Sequence, residues 1–321
     1  MKKKYNILVT GVGAIIGYGI IESIRVSGIF CKIIGTDIYA ENYGKYRCDN
    51  FEKVPYTDSE EYQVAITNII DKYQVDLVFP GIEQDVFFFN INQSLFNTKF
   101  VLNSNLLVNL TKDKWLMYNF LKNNSFPDLI PTYEDIDFER GKDLLGLPFI
   151  IKPKQSYASK GYHIIDNLLT YNKIKNEINS NTIFQPYIGS LDEEYTISIF
   201  GNGIGGFVDS FILKRYLSKA GASEKTFVIE KDEALMDSIS KLTNIFKPEG
   251  PTNFQFRKDG DKVYLLEINS RISSACSIRT KFGYNEPMYC IQHYLKNDSY
   301  TIQPKKTGKA IRYIADEIIY E

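Results

Sequence analysis

Lys262-Val-Tyr-Leu-Leu-Glu-Ile-Asn-Ser-Arg271 reads as a single strand, rich in β-branched, aromatic and leucine residues. The turn signal Lys258-Asp-Gly-Asp261 precedes it, and Asn253-Phe-Gln-Phe-Arg257 lies before that turn. Two apolar runs around Asp-Gly predict a β-hairpin. Alternation along the strand places Glu267, Asn269 and Arg271 on one face, with Leu266 and Ile268 directed the other way into a core. A carboxylate, an amide oxygen and a guanidinium in one row make poor packing material. They suit a hard cation beside a phosphate, because Mg²⁺ takes one or two carboxylates and keeps its other positions for phosphate and water. Gln255, on the first strand of the hairpin, supplies a further oxygen, and Arg271 a forked contact to a phosphate oxygen. An edge hairpin with a solvated polar face would leave the apolar opposite face, the alternate arginine and the partner-strand Gln255 unexplained.

The rest of the chain narrows the class. At 321 residues it can bury substantial cores and form two or three lobes. Its net charge of −1 gives no general pull toward nucleic acid or anionic membrane. Cys31, Cys48, Cys276 and Cys290 show no Cys-x-x-Cys spacing, and only His163 and His293 accompany them. That argues against zinc and for a reduced, cytoplasmic compartment. The apolar run after Met1-Lys-Lys-Lys4 is cut by Gly11, Gly13, Gly17 and Gly19 and flows into Glu22 and Arg25, so a strand, a glycine turn and a helix are expected there rather than a signal segment. No apolar stretch has the length of a membrane span.

The opening third alternates strand and helix. Strands are expected at 6–10, 32–36, 76–79 and 100–102, and helices at 14–26 and 62–73. This rhythm predicts a parallel sheet covered by helices on both faces. A helix is expected over 111–122. Leu147-Pro-Phe-Ile-Ile-Lys152 reads as a short strand in which a lysine interrupts an apolar run. Past Pro186 the chain is strand-rich, with a helix over 232–246, the metal hairpin and a closing strand from Ala310 onward. Gly11-Val-Gly13-Ala-Ile-Ile-Gly17, with Asp37 ending the next strand, invites a dinucleotide reading. Ile16 occupies the third glycine position of that fingerprint, so a tight turn and close helix packing are the better account.

Gln255-Phe256, the turn, and Glu267-Ile-Asn269-Ser-Arg271-Ile-Ser-Ser274 together resemble the ATP-grasp superfamily, most closely the short single-module relatives of the carbamoyl phosphate synthetase large subunit. The likeness runs from about residue 5 to the end. It implies a doubly wound α/β domain over 1–110, a small lid subdomain over 111–187 and a catalytic subdomain over 188–321. It also implies ATP and Mg²⁺ as bound groups, with Mn²⁺ suited to the same oxygens. Gln255, Glu267 and Asn269 become the metal ligands, and Arg271, Lys152 and Arg215 the catalytic cations.

Lys114 and Lys152 resemble the pair that neutralises the nucleotide phosphates, and Gln155-Ser-Tyr-Ala-Ser-Lys-Gly161 the lid whose backbone, at Ser159 and Gly161, wraps them. Lys160 would replace some backbone contact in this glycine-poor lid. Phe184-Gln185-Pro186-Tyr187 resembles the hinge that reads adenine, with Gln185 where many relatives carry Glu. Glu194 is the expected ribose ligand and Glu193 the alternative. Arg215, Lys225, Arg279 and Lys281 are candidates for a substrate carboxylate or acyl phosphate, and Glu83 or Asp85 for a substrate amine.

The activity the resemblance implies is carboxylate–amine or carboxylate–thiol ligation through an acyl phosphate. Small carboxylate and amine substrates are then the partners, and a homodimer is the family expectation. Phosphorylation of bicarbonate or carbamate is the alternative chemistry, and an ATP-binding regulatory or scaffold protein is the alternative class.

Overall fold

The computed structural model describes residues 4–155, 161–217, 223–296, 299–313, 315–316 and 318–319. Three sheets organise them. The first is parallel and five-stranded, in the order β3-β2-β1-β4-β5, and comprises β1 (Tyr5–Val9), β2 (Cys31–Asp37), β3 (Asn50–Lys53), β4 (Leu77–Phe79) and β5 (Lys99–Phe100). The middles of its central strands β1, β2 and β4 are apolar and buried because both faces are covered there. Ile7 and Val9 join the core that contains Ile20, Ile21 and Ile24 of the helix Ile15–Arg25. Leu8, between them, points into the opposite core with Ile66, Ile69 and Ile70 of the helix Glu60–Tyr73.

The second sheet is three-stranded and antiparallel, ordered β7-β6-β8: β6 (Phe149–Pro153), β7 (His163–Ile165) and β8 (Thr182–Pro186). Phe149 and Ile151 face a small core with Phe138, Tyr171 and Phe184. The third sheet has six strands in the order β13-β12-β9-β10-β11-β14. They are β9 (Glu194–Asn202), β10 (Phe207–Leu217), β11 (Ser223–Ile229), β12 (Glu249–Asp259), β13 (Lys262–Asn269) and β14 (Lys309–Ile311). Tyr195, Ile197, Ile199, Phe254 and Phe256 pack against the helices Glu233–Phe246 and Lys114–Asn123. Their alternate neighbours, Glu194, Thr196, Asn253, Gln255 and Arg257, therefore face a cleft. The expected class, a doubly wound parallel sheet followed by antiparallel lobes, is the class observed.

Three sequence expectations need correction. The helix expected over 111–122 starts at Lys114 and runs to Asn123, and a separate helix, Asn105–Thr111, precedes it. Asp113 restarts the second by accepting the backbone N–H groups of Trp115 and Leu116, at 2.9 and 3.0 Å. The closing strand is short, since β14 pairs with β11 only over Lys309–Ile311; positions 314, 317, 320 and 321 lie outside the described residues. The polar row expected on one strand is divided, because β13 ends at Asn269 and Arg271 lies in the loop beyond.

Candidate active site

A cleft of about 520 Å³ opens between the two antiparallel sheets and reaches the start of the helix Ile15–Arg25. Five cations line it, namely Lys114, Lys152, Arg215, Arg257 and Arg271, against three carboxylates, Glu83, Glu194 and Glu267. In a chain of net charge −1 the described lining of the cleft thus carries a local positive surplus. Ile130, Ile150, Ile188 and Leu266 supply an apolar wall.

The hairpin contributes through its register. Asn253 pairs with Asn269 and Gln255 with Glu267; the ladder then slips, and Phe256 pairs with Leu265. Leu266 is the extra residue of this bulge. It lines the cleft beside Glu267 instead of entering the core, which corrects the simple alternation expected for it; Ile268 is buried in the core as expected. Glu267, Asn269 and Gln255 share the cleft. Arg271 reaches it from the following loop, with Nη1 donating to the Ile272 carbonyl at 3.2 Å and Nη2 lying 3.9 Å from Glu83.

Lys114 is the first residue of its helix, and its backbone N–H donates to the Lys154 carbonyl at 3.0 Å. That bond ties the helix start to the end of β6 and brings Lys114 beside Lys152. On β6, Ile150 and Lys152 alternate with the core residues Phe149 and Ile151, so the lysine faces the cleft. Burial, and then the Lys114 ammonium, pull the Lys152 amine down from its ordinary 10.5 to about 8, against the opposing effect of Glu267. Between those two values the unfolded chain holds a proton that the folded chain releases. Stability therefore rises as pH climbs from about 8 toward 10.5, and below 8 the fold carries a constant penalty. Lys152→Met should melt higher than wild type at pH 7, the gap closing toward pH 10, while losing nucleotide affinity. Thermal melts across that range with calorimetry check it; a lower melting point at pH 7 with intact nucleotide binding would make Lys152 a structural residue.

Glu194 and Glu193 part company. Glu194 is buried between two arginines: its Oε1 accepts from Arg215 Nε at 2.9 Å and from Arg215 Nη2, and its Oε2 accepts from Arg257 Nη2 at 2.9 Å. Arg215 Nη2 also donates to Gln255 Oε1 at 2.6 Å, so Gln255 keeps only its second lone pair for a metal. Glu193 bonds the Tyr195 hydroxyl at 2.7 Å and pairs with Lys214, outside the cleft lining.

The remaining candidates divide in the same way. Gln185 and Pro186 line the cleft, and Gln185 Nε2 donates to Thr132 Oγ1 at 2.8 Å. Tyr187 does not line it, and its N–H already bonds the Pro148 carbonyl at 3.3 Å. Gly161 (φ +72°) packs against Pro153 beside the lining residue Tyr162. Ser159 and Lys160 lie outside the described residues. Lys225 sits over the Tyr216 and Phe227 rings, away from the cleft, and Lys281 is also absent from its lining. Arg279 is fully buried behind it, and Asp85 is buried with Tyr62 and Thr57, leaving Glu83 as the first-domain carboxylate in the cleft. Sequence reading missed Arg257, Thr196 and Asn253, although the period-two pattern of Asn253-Phe-Gln-Phe-Arg257 contained two of them.

Among the described residues no group of three or more His, Cys, Asp or Glu side chains is placed to hold a metal. Glu267, Asn269 and Gln255 offer one carboxylate and two amide oxygens. That is a fitting set for Mg²⁺ when nucleotide phosphates complete the shell.

A family model described as "ATP-grasp in the biosynthetic pathway with Ter operon" matches residues 183–317. D-alanine–D-alanine ligases from two strains of Neisseria gonorrhoeae are each 26% identical over 159 residues, 45% of this chain and 51% of the relative. The chain thus spans about half the length of these curated relatives. Among solved structures, N5-carboxyaminoimidazole synthetase from Staphylococcus aureus complexed with ADP aligns with a TM-score of 0.72 at 16% identity, covering 97% of this chain and 81% of that one. Biotin carboxylase from Campylobacter jejuni aligns with a TM-score of 0.71 at 17% identity, covering 95% and 74%. The biotin carboxylase domain of the Hydrogenobacter thermophilus 2-oxoglutarate carboxylase, solved with MgADP and bicarbonate, gives 0.72 at 15%, covering 95% and 73%.

Proposed function

We propose that this chain, a member of the ATP-grasp superfamily, is an ATP-dependent ligase that joins a small carboxylate to an amine or a thiol. In that reaction the carboxylate is phosphorylated by ATP, ADP is formed, and the nucleophile then displaces phosphate from the acyl carbon. One observation carries the reading. Lys114 and Lys152 face Glu267 and Asn269 across a cleft whose apolar wall, with Gln185 at its edge, suits a base.

Each residue then has a definite task. Lys114 and Lys152 offset nucleotide phosphate charge, and Glu267 and Asn269, with Gln255, would hold Mg²⁺, which would supply further charge neutralisation. Arg271 places a forked donor at the transferring phosphoryl group. Arg215 acts within the Glu194 cluster, and Glu194 offers its one remaining lone pair, on Oε2, to a ribose hydroxyl. The division at 110/111 and 187/188 into three lobes belongs to the same proposal; Leu110 lies in the last turn of the helix Asn105–Thr111, so the first boundary falls inside a helix. Four free cysteines support a reducing, cytoplasmic setting, and among the described residues no helix is long and apolar enough to cross a membrane.

The glycine turn supports ATP over NAD. Asp37, which would hold a dinucleotide ribose, instead accepts the N–H groups of Gly13 at 2.8 Å and Tyr39 at 3.0 Å. Calorimetry should find Mg-ATP binding and little NAD binding. ADP release should require an added carboxylate and nucleophile, screened as amino-acid pools with mass analysis of the product. Tight NAD binding without measurable ATP binding would overturn the reading.

A further inference from the structure

Three carboxylates line the cleft, and two of them have committed places. Glu194 lies between Arg215 and Arg257, and Glu267 sits on the hairpin opposite Gln255. Glu83 is the third, with a side chain 25% exposed. Among the described residues no hydrogen bond reaches its carboxylate, and its ion pair with Arg271 is long, at 3.9 Å. Burial raises the carboxyl above its ordinary value, against the pull of Arg271.

The first sheet explains why a carboxylate stands there. In the order β3-β2-β1-β4-β5 the chain reverses its winding between β1 and β4. The helix after β1, Ile15–Arg25, packs on one face through Ile20 and Ile24, and the helix after β4, Glu83–Asn92, on the other through Val86 and Phe89. The crevice at the carboxyl ends of two such strands is where ligands bind in open α/β sheets. Gly81 N–H donates to Thr10 Oγ1 at 3.1 Å and ties the two strand exits together. Ile15 and Ile16 from one exit and Glu83 from the other line the same cleft as Lys152 and Arg271. The crevice of the first sheet is therefore continuous with the proposed phosphoryl site.

We infer that Glu83 binds the attacking nucleophile and takes its proton, and that this nucleophile is an amine and not a thiol. The inference rests on the ligase reading and narrows its substrate class. A carboxylate accepts hydrogen bonds from an amine and attracts its ammonium form, whereas a thiol attacks as the thiolate, which a neighbouring carboxylate repels. Arg271 stands beside Glu83, so an amine on this carboxylate lies next to the acyl phosphate. The nitrogen lone pair attacks the acyl carbon and a C–N bond forms. The C–O bond to phosphate breaks, and its electron pair leaves on phosphate. The proton that attack makes acidic on nitrogen passes to Glu83, and from there to the departing phosphate or to water.

The test gives the full chain MgATP and a pool of the common amino acids, which supplies both carboxylate and amine, with and without hydroxylamine. Hydroxylamine is small, unprotonated at neutral pH and attacks an acyl phosphate without a base, so it reports the phosphoryl step alone. Glu83→Gln should lower ADP release from the pool alone by roughly 10²-fold or more. Added hydroxylamine should rescue it to within about three-fold of wild type, with a hydroxamate as product. Glu83→Asp keeps the charge one methylene short and should fall between the two with the pool alone; if Glu83→Gln does not fold, the same comparison is made on Glu83→Asp. A Glu83 that serves only as the counter-charge placing Arg271 would lower both rates together, without rescue, and that result overturns the inference. So does a variant that matches wild type with the pool alone, or a thioester found by mass analysis of the wild-type product. Wild type that releases no ADP in either mixture would instead sink the ligase reading, and the inference falls with it.

Discussion

Glu267→Gln should lower ADP formation by roughly 10²–10³-fold while leaving the fold intact. The substitution keeps the shape of the side chain and the pairing of residue 267 with Gln255 across the hairpin, so the ladder has no reason to move. What changes is charge. Glu267 is the one carboxylate on the hairpin face of the cleft; Asn269 and Gln255 are neutral, and Gln255 already accepts from Arg215. A hard cation held by two amides and phosphate loses its strongest protein ligand. The half-saturating Mg²⁺ concentration should therefore rise at least ten-fold along with the loss of turnover, and extra Mg²⁺ should restore part of the rate. The cooperative urea transition should persist with an unchanged m-value, the small loss of stability reflecting the missing Glu267 charge beside Lys152. Near-normal ADP formation at ordinary Mg²⁺ would remove Glu267 from the site.

The hairpin and its polar cleft face were readable because three local signals agreed: an Asp-Gly turn, an apolar alternate face, and polar residues that packing does not need. Lys152 was readable for the same reason, a charge set into an apolar strand. The bulge at Leu266 was not, because it depends on how β13 registers against β12, and one strand alone does not carry that information. The choice between Glu193 and Glu194 needed the phase of β9. Once Tyr195, Ile197 and Ile199 are in the core, Glu194 must share the face of Thr196. The helix that begins at Lys114 was legible in its apolar spacing, and Asp113 caps it. Arg312 lies far along the chain from Ser274, and only the pairing of β14 with β11 brings them together. Contacts of that kind leave no local pattern.

The arginine pair around Glu194 leads to the second large effect, on stability. The side chains of Arg215, Glu194 and Arg257 are 10%, 4% and 8% exposed, and Glu194 is the shared acceptor of both guanidiniums. Glu194→Gln leaves two buried cations without their anion and turns an amide N–H₂ toward one of them. Removing one partner of a buried ionic cluster costs about 3–5 kcal/mol, far more than the cluster contributes over an apolar replacement of equal size. Urea unfolding of Glu194→Gln should show a loss of that order. Replacing all three residues together by Leu, Met and Met should recover most of it, because the desolvation cost leaves with the charges. Nucleotide affinity separates the roles. If Glu194 both holds the arginines and meets the ribose, affinity stays low in the triple variant even though stability returns. If stability in Glu194→Gln changes by less than about 0.5 kcal/mol while nucleotide affinity falls, the carboxylate serves the ligand alone and the ion cluster carries no structural weight.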